Sequence, residues 1–249
     1  MGRALKSVYT NAWSFAVALP LVTALAIGFE GLQHLVEWSI GMYASKAAMV
    51  ATQWHPARMA AGVAKVIVLM LMLFWTARFV IGRSAAAATR SAPRAWRRFA
   101  AVVLFGVAST IVTLAGERYL PGSGWPRAVI AVIGLVLLLG GTVLNVALSY
   151  WFAGAAVAEP AATWRRSLSA SRGSLVWGLA LTILAILPFM ILHYALGYGA
   201  VARPGVVAGA MLLIDAVLVG FMSLIIGMAN VTVAERMAGR HGLPLMLQD

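Results

Sequence analysis

The sequence contains no cysteine, and only 10% of its 249 residues are charged, with seven Asp and Glu against 19 Lys and Arg. The missing cysteine excludes disulfides, thiolate metal sites, iron–sulfur clusters and cysteine nucleophiles. There is no Walker loop, no G-x-G-x-x-G following a strand and no nucleophile elbow. Scarce charge combined with 62% hydrophobic residues excludes a soluble globular domain, which averages about 25% charged and about 45–50% apolar residues. Lipid is the solvent such a chain requires. A net charge of +12 would point to nucleic acid in a soluble protein. Here the basic residues sit in short segments between apolar runs, which the positive-inside bias explains without nucleic acid.

The apolar runs predict an all-α, polytopic fold in one transmembrane domain, with spans at about 7–29, 59–81, 99–116, 128–152, 174–198 and 206–233. Ala24-Leu25-Ala26 resembles a signal-peptidase site, but the first run exceeds the about 7–15 residues of a signal-peptide core. It reads as an uncleaved span. Residues 30–58 mix Glu30, His34, Glu37, Lys46, His55 and Arg58 with apolar residues at near-helical spacing, which predicts an amphipathic helix lying in the interface. Lys65 and Arg78, near the two ends of the second span, are expected to snorkel. With the N-terminus inside, 13 of the basic residues fall on inner segments and six on outer ones, so both termini are expected to be cytoplasmic.

Two inner linkers share a pattern: Ala95-Trp96-Arg97-Arg98 precedes the third span and Thr163-Trp164-Arg165-Arg166 the fifth. Interfacial anchoring by Trp and Arg accounts for both, as does an echo of a helix-pair repeat. Trp96, Arg97, Arg98, Trp164, Arg165, Arg166 and Arg172 are therefore candidate lipid-headgroup residues.

The stretch Val157-Ala158-Glu159-Pro160, then Trp164-Arg165-Arg166-Ser167-Leu168 and Ser171-Arg172-Gly173, resembles the six-helix bacterial membrane family around YciC. It is similar as well to the membrane domain attached to some glycerophosphodiester phosphodiesterases. The local likeness covers roughly residues 145–190, and Pro160 stands where a glycine is more usual. The resemblance implies six spans and an inner-membrane location. It implies no enzyme, because no soluble segment is long enough for a phosphodiesterase domain.

Asp215 stands out, a carboxylate about ten residues inside the last span. Its insertion costs about 2.5–3.5 kcal/mol, so it must face the bundle interior. It reads either as part of a proton or cation relay, or as a structural polar group bonded to Asn145, Asn230 or a hydroxyl. Lys65 is the only lysine within an expected span, but it lies nearer the outer surface, so pairing with Asp215 requires snorkelling. Glu30, His34 and Glu37 fall at i, i+4 and i+7 and could ligate a divalent metal with His55, but a solvated polar face is the commoner origin, so no metal or cofactor is expected. His193, five residues after Pro188, reads as a hydrogen-bonded interfacial histidine. Gly205 and Gly209 form G-x-x-x-G, which permits close helix approach either inside the bundle or across a dimer face, and Gly220 and Gly227 continue the small-residue stripe.

These features lead to a non-catalytic bacterial inner-membrane protein, an accessory or scaffold subunit associating with lipids and another membrane protein. The rival is a small transporter or lipid-handling permease with Asp215 in its path.

Overall fold

The computed structural model describes residues 1–90 and 92–248; Ser91, within the 82–98 linker, and Asp249 lie outside the described residues. Eleven helices follow one another among those residues: α1 (Gly2–Ala18), α2 (Pro20–Ser39), α3 (Lys46–Thr52), α4 (Pro56–Gly82), α5 (Ala85–Thr89), α6 (Pro93–Tyr119), α7 (Arg127–Ala147), α8 (Ser149–Ala156), α9 (Trp164–Ala170), α10 (Leu175–Ala200) and α11 (Gly205–His241). Helix starts obey local chemistry. Pro20, Pro56 and Pro93 occupy first-turn positions, where the missing N–H costs nothing. Ser45, Ser84 and Thr163 accept backbone N–H bonds as N-caps of α3, α5 and α9. Gly242 ends α11 at φ 60°, the left-handed conformation that glycine adopts without strain.

Helices α4, α6, α7, α10 and α11 are each long and apolar enough to cross a membrane. The pair α1–α2, bent by 100° at Leu19, makes a sixth if counted as one span. The described residues are all-helical, with five or six segments long and apolar enough to cross a membrane, as an integral membrane protein requires. The first apolar run is not one straight helix, because Pro20 lacks the N–H that continuation from α1 would use. An interfacial helix over 30–58 does not form. Residues 30–39 complete α2 instead, and Glu30, Gln33, His34 and Glu37 are buried.

Helix α11 is the axis, with α1, α2, α4, α8 and α10 packed around it. At Gly220 a side chain would collide with Ile27 of α2, whose backbone N and Cα lie 3.0 and 3.1 Å from the Cβ position. At Gly227 it would collide with Thr76 of α4. At the G-x-x-x-G pair, a Cβ on Gly205 would meet Trp38 at 3.9 Å, and among the described residues none lies within 4 Å of one on Gly209. The intimate contacts fall at Gly220 and Gly227 because α2 and α4 cross α11 there.

Arg78 does not snorkel. It is fully buried, its Nε donating to Ala87 O at 3.0 Å and its Nη1 to Ala156 O at 3.3 Å, with its guanidinium 5.5 Å from the Phe74 ring centre. One side chain thus ties α4 to the short helices α5 and α8. Arg78→Ala leaves those carbonyls without a donor, each worth about 1–3 kcal/mol when buried. A loss of about 3 kcal/mol is expected in unfolding from mixed micelles, and a change below 1 kcal/mol would refute this anchor role.

The arginine-rich elbow is built by its own polar residues. Helix α8 closes at Ala158, with φ 61° and Glu159 N donating to Gly154 O at 2.8 Å. The buried Glu159 carboxylate then accepts from Ala161 N at 3.0 Å. Ser167 Oγ donates to Ala147 O at 2.8 Å and accepts from Trp151 N at 3.2 Å, satisfying backbone groups near the α7–α8 break.

Candidate functional site

Four buried polar side chains line one face of α2: Glu30, Gln33, His34 and Glu37. Their spacing aims them at α11, where Asp215 is fully buried. Helix α10 adds His193, α4 adds Arg58 and Lys65, and the loop after α2 adds Tyr43. That loop is held by Ala202 N, which donates to Tyr43 O at 2.9 Å.

His34 is the hub. Its Nε2 lies 2.9 Å from Asp215 Oδ2 and 3.6 Å from Glu30 Oε1, while its Nδ1 lies 3.2 Å from Glu37 Oε2 and 3.0 Å from Tyr43 Oη. His193 reaches Asp215 from the other side, its Nδ1 2.8 Å from Oδ1 and 2.9 Å from Oδ2. Glu37 is saturated: Oε1 accepts from Gln33 Nε2 and Arg58 Nε, both at 2.9 Å, and Oε2 from Tyr43 Oη at 2.5 Å. Burial, followed by the Glu37 carboxylate, holds the Tyr43 phenol above its ordinary range, so it stays a donor.

Glu30 is different. Only 1% exposed, it faces Lys65 Nζ at 3.0 Å as a charge partner, yet neither of its oxygens accepts a directed hydrogen bond. A buried carboxylate normally collects donors, so these oxygens hold unused coordinating capacity. These side chains, with Met42, Met49, Tyr194 and Tyr198, line a pocket of about 290 Å³. Three carboxylates there face two permanent cations, Arg58 and Lys65, whose side chains are 28% and 23% exposed. The balance is one negative charge that only the histidines or an incoming cation can offset.

The other expected positions lie elsewhere. Asn145 does not serve Asp215; its Oδ1 faces Asn230 Nδ2 at 3.5 Å, and that amide donates to Ser149 Oγ at 3.0 Å. Lys65 does not meet Asp215 but pairs with Glu30. His55 caps the start of α4, its Nδ1 accepting from Ala57 N at 3.3 Å, and is not among the residues that line the pocket. Trp96 stacks on Phe74 at 3.9 Å and Trp164 is half exposed, with Arg165 over its ring at 5.1 Å. Arg98 donates to Ala162 O at 3.2 Å, Arg166 to Ala161 O at 3.5 Å, and Arg172 is exposed. Arg94, Arg97 and Arg98 line a separate cleft of about 510 Å³ with Gln248. Gly205 and Gly209 border an apolar groove of about 660 Å³ between α2 and α11, with Leu32, Leu35, Trp38 and Leu213.

Sequence reasoning separated Asp215 from Glu30, His34, Glu37 and His193, which the fold unites. The i, i+4, i+7 spacing on α2 was the available signal, but the partner lies 181 positions away. Comparisons of the chain with protein-family models, with curated proteins and with solved structures found no match.

Proposed function

We propose that this protein is a small cation-handling permease of a bacterial inner membrane, with the cluster around Asp215 as its ion site. The observation that carries this reading is the convergence of three carboxylates and two histidines on one pocket lined by α2, α4, α10 and α11. Intramembrane carboxylates and histidines cost several kcal/mol unless paired, and they mark ion pathways. A structural role alone would be met by one matched pair. Here two histidines converge on one carboxylate while a second, facing the Lys65 ammonium, accepts no directed hydrogen bond.

The test is electrical. The purified full chain in proteoliposomes, adsorbed on a solid-supported membrane, is exposed to jumps of monovalent and divalent cations. At least one cation is expected to evoke a transient current that Asp215→Asn abolishes. Absence of current for every cation in the wild type would overturn the permease reading.

A second reading, docking of another membrane protein, is favoured by the groove beside Gly209, which none of the described residues fills. The positive-inside bias supports a cytoplasmic position for the basic segments that hold Arg83, Arg94, Arg97, Arg98, Arg165 and Arg166. A periplasm-active reporter fused after Asp249 should be silent, and strong activity would reverse the orientation.

A further inference from the structure

We infer that Glu30, His193 and Asp215 form a binding site for a divalent first-row transition cation of the zinc, manganese or ferrous class. This rests on the cation-handling reading and names its ion class.

Each of the three residues offers one ligand atom, and these atoms lie within 4.8 Å of one another. Ligands at about 2.0–2.2 Å from a tetrahedral metal lie roughly 3.3–3.6 Å apart, so a modest contraction about a central ion completes the site. The donors come from three helices, α2, α10 and α11, whose packing fixes their approach. His34 is the natural fourth donor, since its Nε2 already lies 2.9 Å from Asp215 and 3.6 Å from Glu30.

Two further features point to a metal rather than to a closed ion-pair network. The Glu30 oxygens are buried, accept no directed hydrogen bond and line the pocket, and their charge partner Lys65 is on a flexible stem with partial exposure. An entering cation replaces that ammonium without breaking a directed bond. His34, moreover, is oriented from behind: its Nδ1 contacts Glu37, and Glu37 is fixed by Gln33, Tyr43 and Arg58. A carboxylate behind a histidine is the recurrent outer shell of metal-bound imidazole.

The donor chemistry selects the ion. Two imidazoles with two carboxylates suit zinc, manganese and ferrous iron, whereas calcium and magnesium take oxygen alone. Met42 and Met49 also line the pocket, but the three carboxylates weigh against a cuprous site.

The full chain in detergent micelles, stripped with chelator, is titrated with Zn²⁺, Mn²⁺ and Mg²⁺ by calorimetry and equilibrium dialysis. One Zn²⁺ per chain is expected, with Mg²⁺ at least a hundredfold weaker. His193→Gln and Glu30→Gln should each weaken Zn²⁺ by tenfold or more, whereas His55→Gln and His241→Gln should not. Co²⁺ added to the unmodified chain should give the intense visible bands of a four-coordinate N/O site, displaced by Zn²⁺; this readout needs no variant to fold. No stoichiometric binding, or binding lost only with His55 or His241, would overturn the site. Binding in micelles upholds it whether or not currents are seen in liposomes, and its absence sinks it even where currents persist.

Discussion

Asp215→Leu is expected to lower stability by about 3–5 kcal/mol, the usual consequence of removing one partner from a buried polar pair. The substitution leaves His34 Nε2 and His193 Nδ1 facing an apolar side chain, with Arg58 and Lys65 then balancing only Glu30 and Glu37. Asp215→Asn keeps an oxygen for one histidine and a similar shape, so a cost of about 1–2 kcal/mol is expected. Unfolding in mixed micelles, followed by helical signal and by intrinsic tryptophan fluorescence, checks the order. Equal costs for the two variants would mean that charge and acceptor capacity at Asp215 do not matter. A leucine variant as stable as wild type would show that the histidines find other partners.

Gly220→Val should also be damaging, by a smaller amount and for a different reason. The new methyl groups meet the backbone of Ile27, and backbone cannot rotate away as a side chain can. Overpacking of this kind costs about 1–3 kcal/mol. The separation it forces falls three residues from Glu30 on α2 and five from Asp215 on α11. Zn²⁺ affinity is therefore expected to fall at least tenfold, although no ligand has changed. Gly209→Val, on the same helix but beside the open groove, should leave both stability and Zn²⁺ binding within a factor of two. If the two valine variants behave alike, close α2–α11 contact is not what holds the cluster together.

The long apolar runs made most of the fold legible. Spans expected at 59–81, 99–116, 174–198 and 206–233 correspond to α4, α6, α10 and α11, because burying backbone in lipid leaves the helix as the economical solution. Boundaries failed where polarity returns inside a helix. Helix α11 continues through Glu235, Arg236 and Arg240 to His241, a stretch that reads as an inner tail. The run expected over 128–152 divides into α7 and α8 near Leu148, with no charge to announce the break.

The site was harder to read, for a related reason. Hydropathy averaged over a window treats Glu30, His34 and Glu37 as the exit of a span, and a local reading then assigns them to water. Only the long-range packing of α2 against α11 shows that they face Asp215. Asp215 was conspicuous because it stands alone in an apolar run, whereas each of its partners is diluted by its neighbours. His193 is the clearest instance, since one imidazole near the end of α10 is silent until the opposing residue is known. Arg78 was misplaced likewise, because its acceptors are the backbone carbonyls of Ala87 and Ala156, which carry no sequence signal.

Helix α11 spans 37 residues and stays continuous from the polar pocket around Asp215 to the basic segment at Arg236 and Arg240. At 1.5 Å per residue, Asp215 and Glu235 are about 30 Å apart along one rod, the thickness of a bilayer core. A rod of that length turns a small angle at one end into travel at the other. A tilt of about 5° pivoting at Asp215 displaces Glu235 by about 2.6 Å, enough to change which side chains touch. Occupancy of the pocket would thus be felt across the whole membrane by leverage, with no relay of intermediate residues.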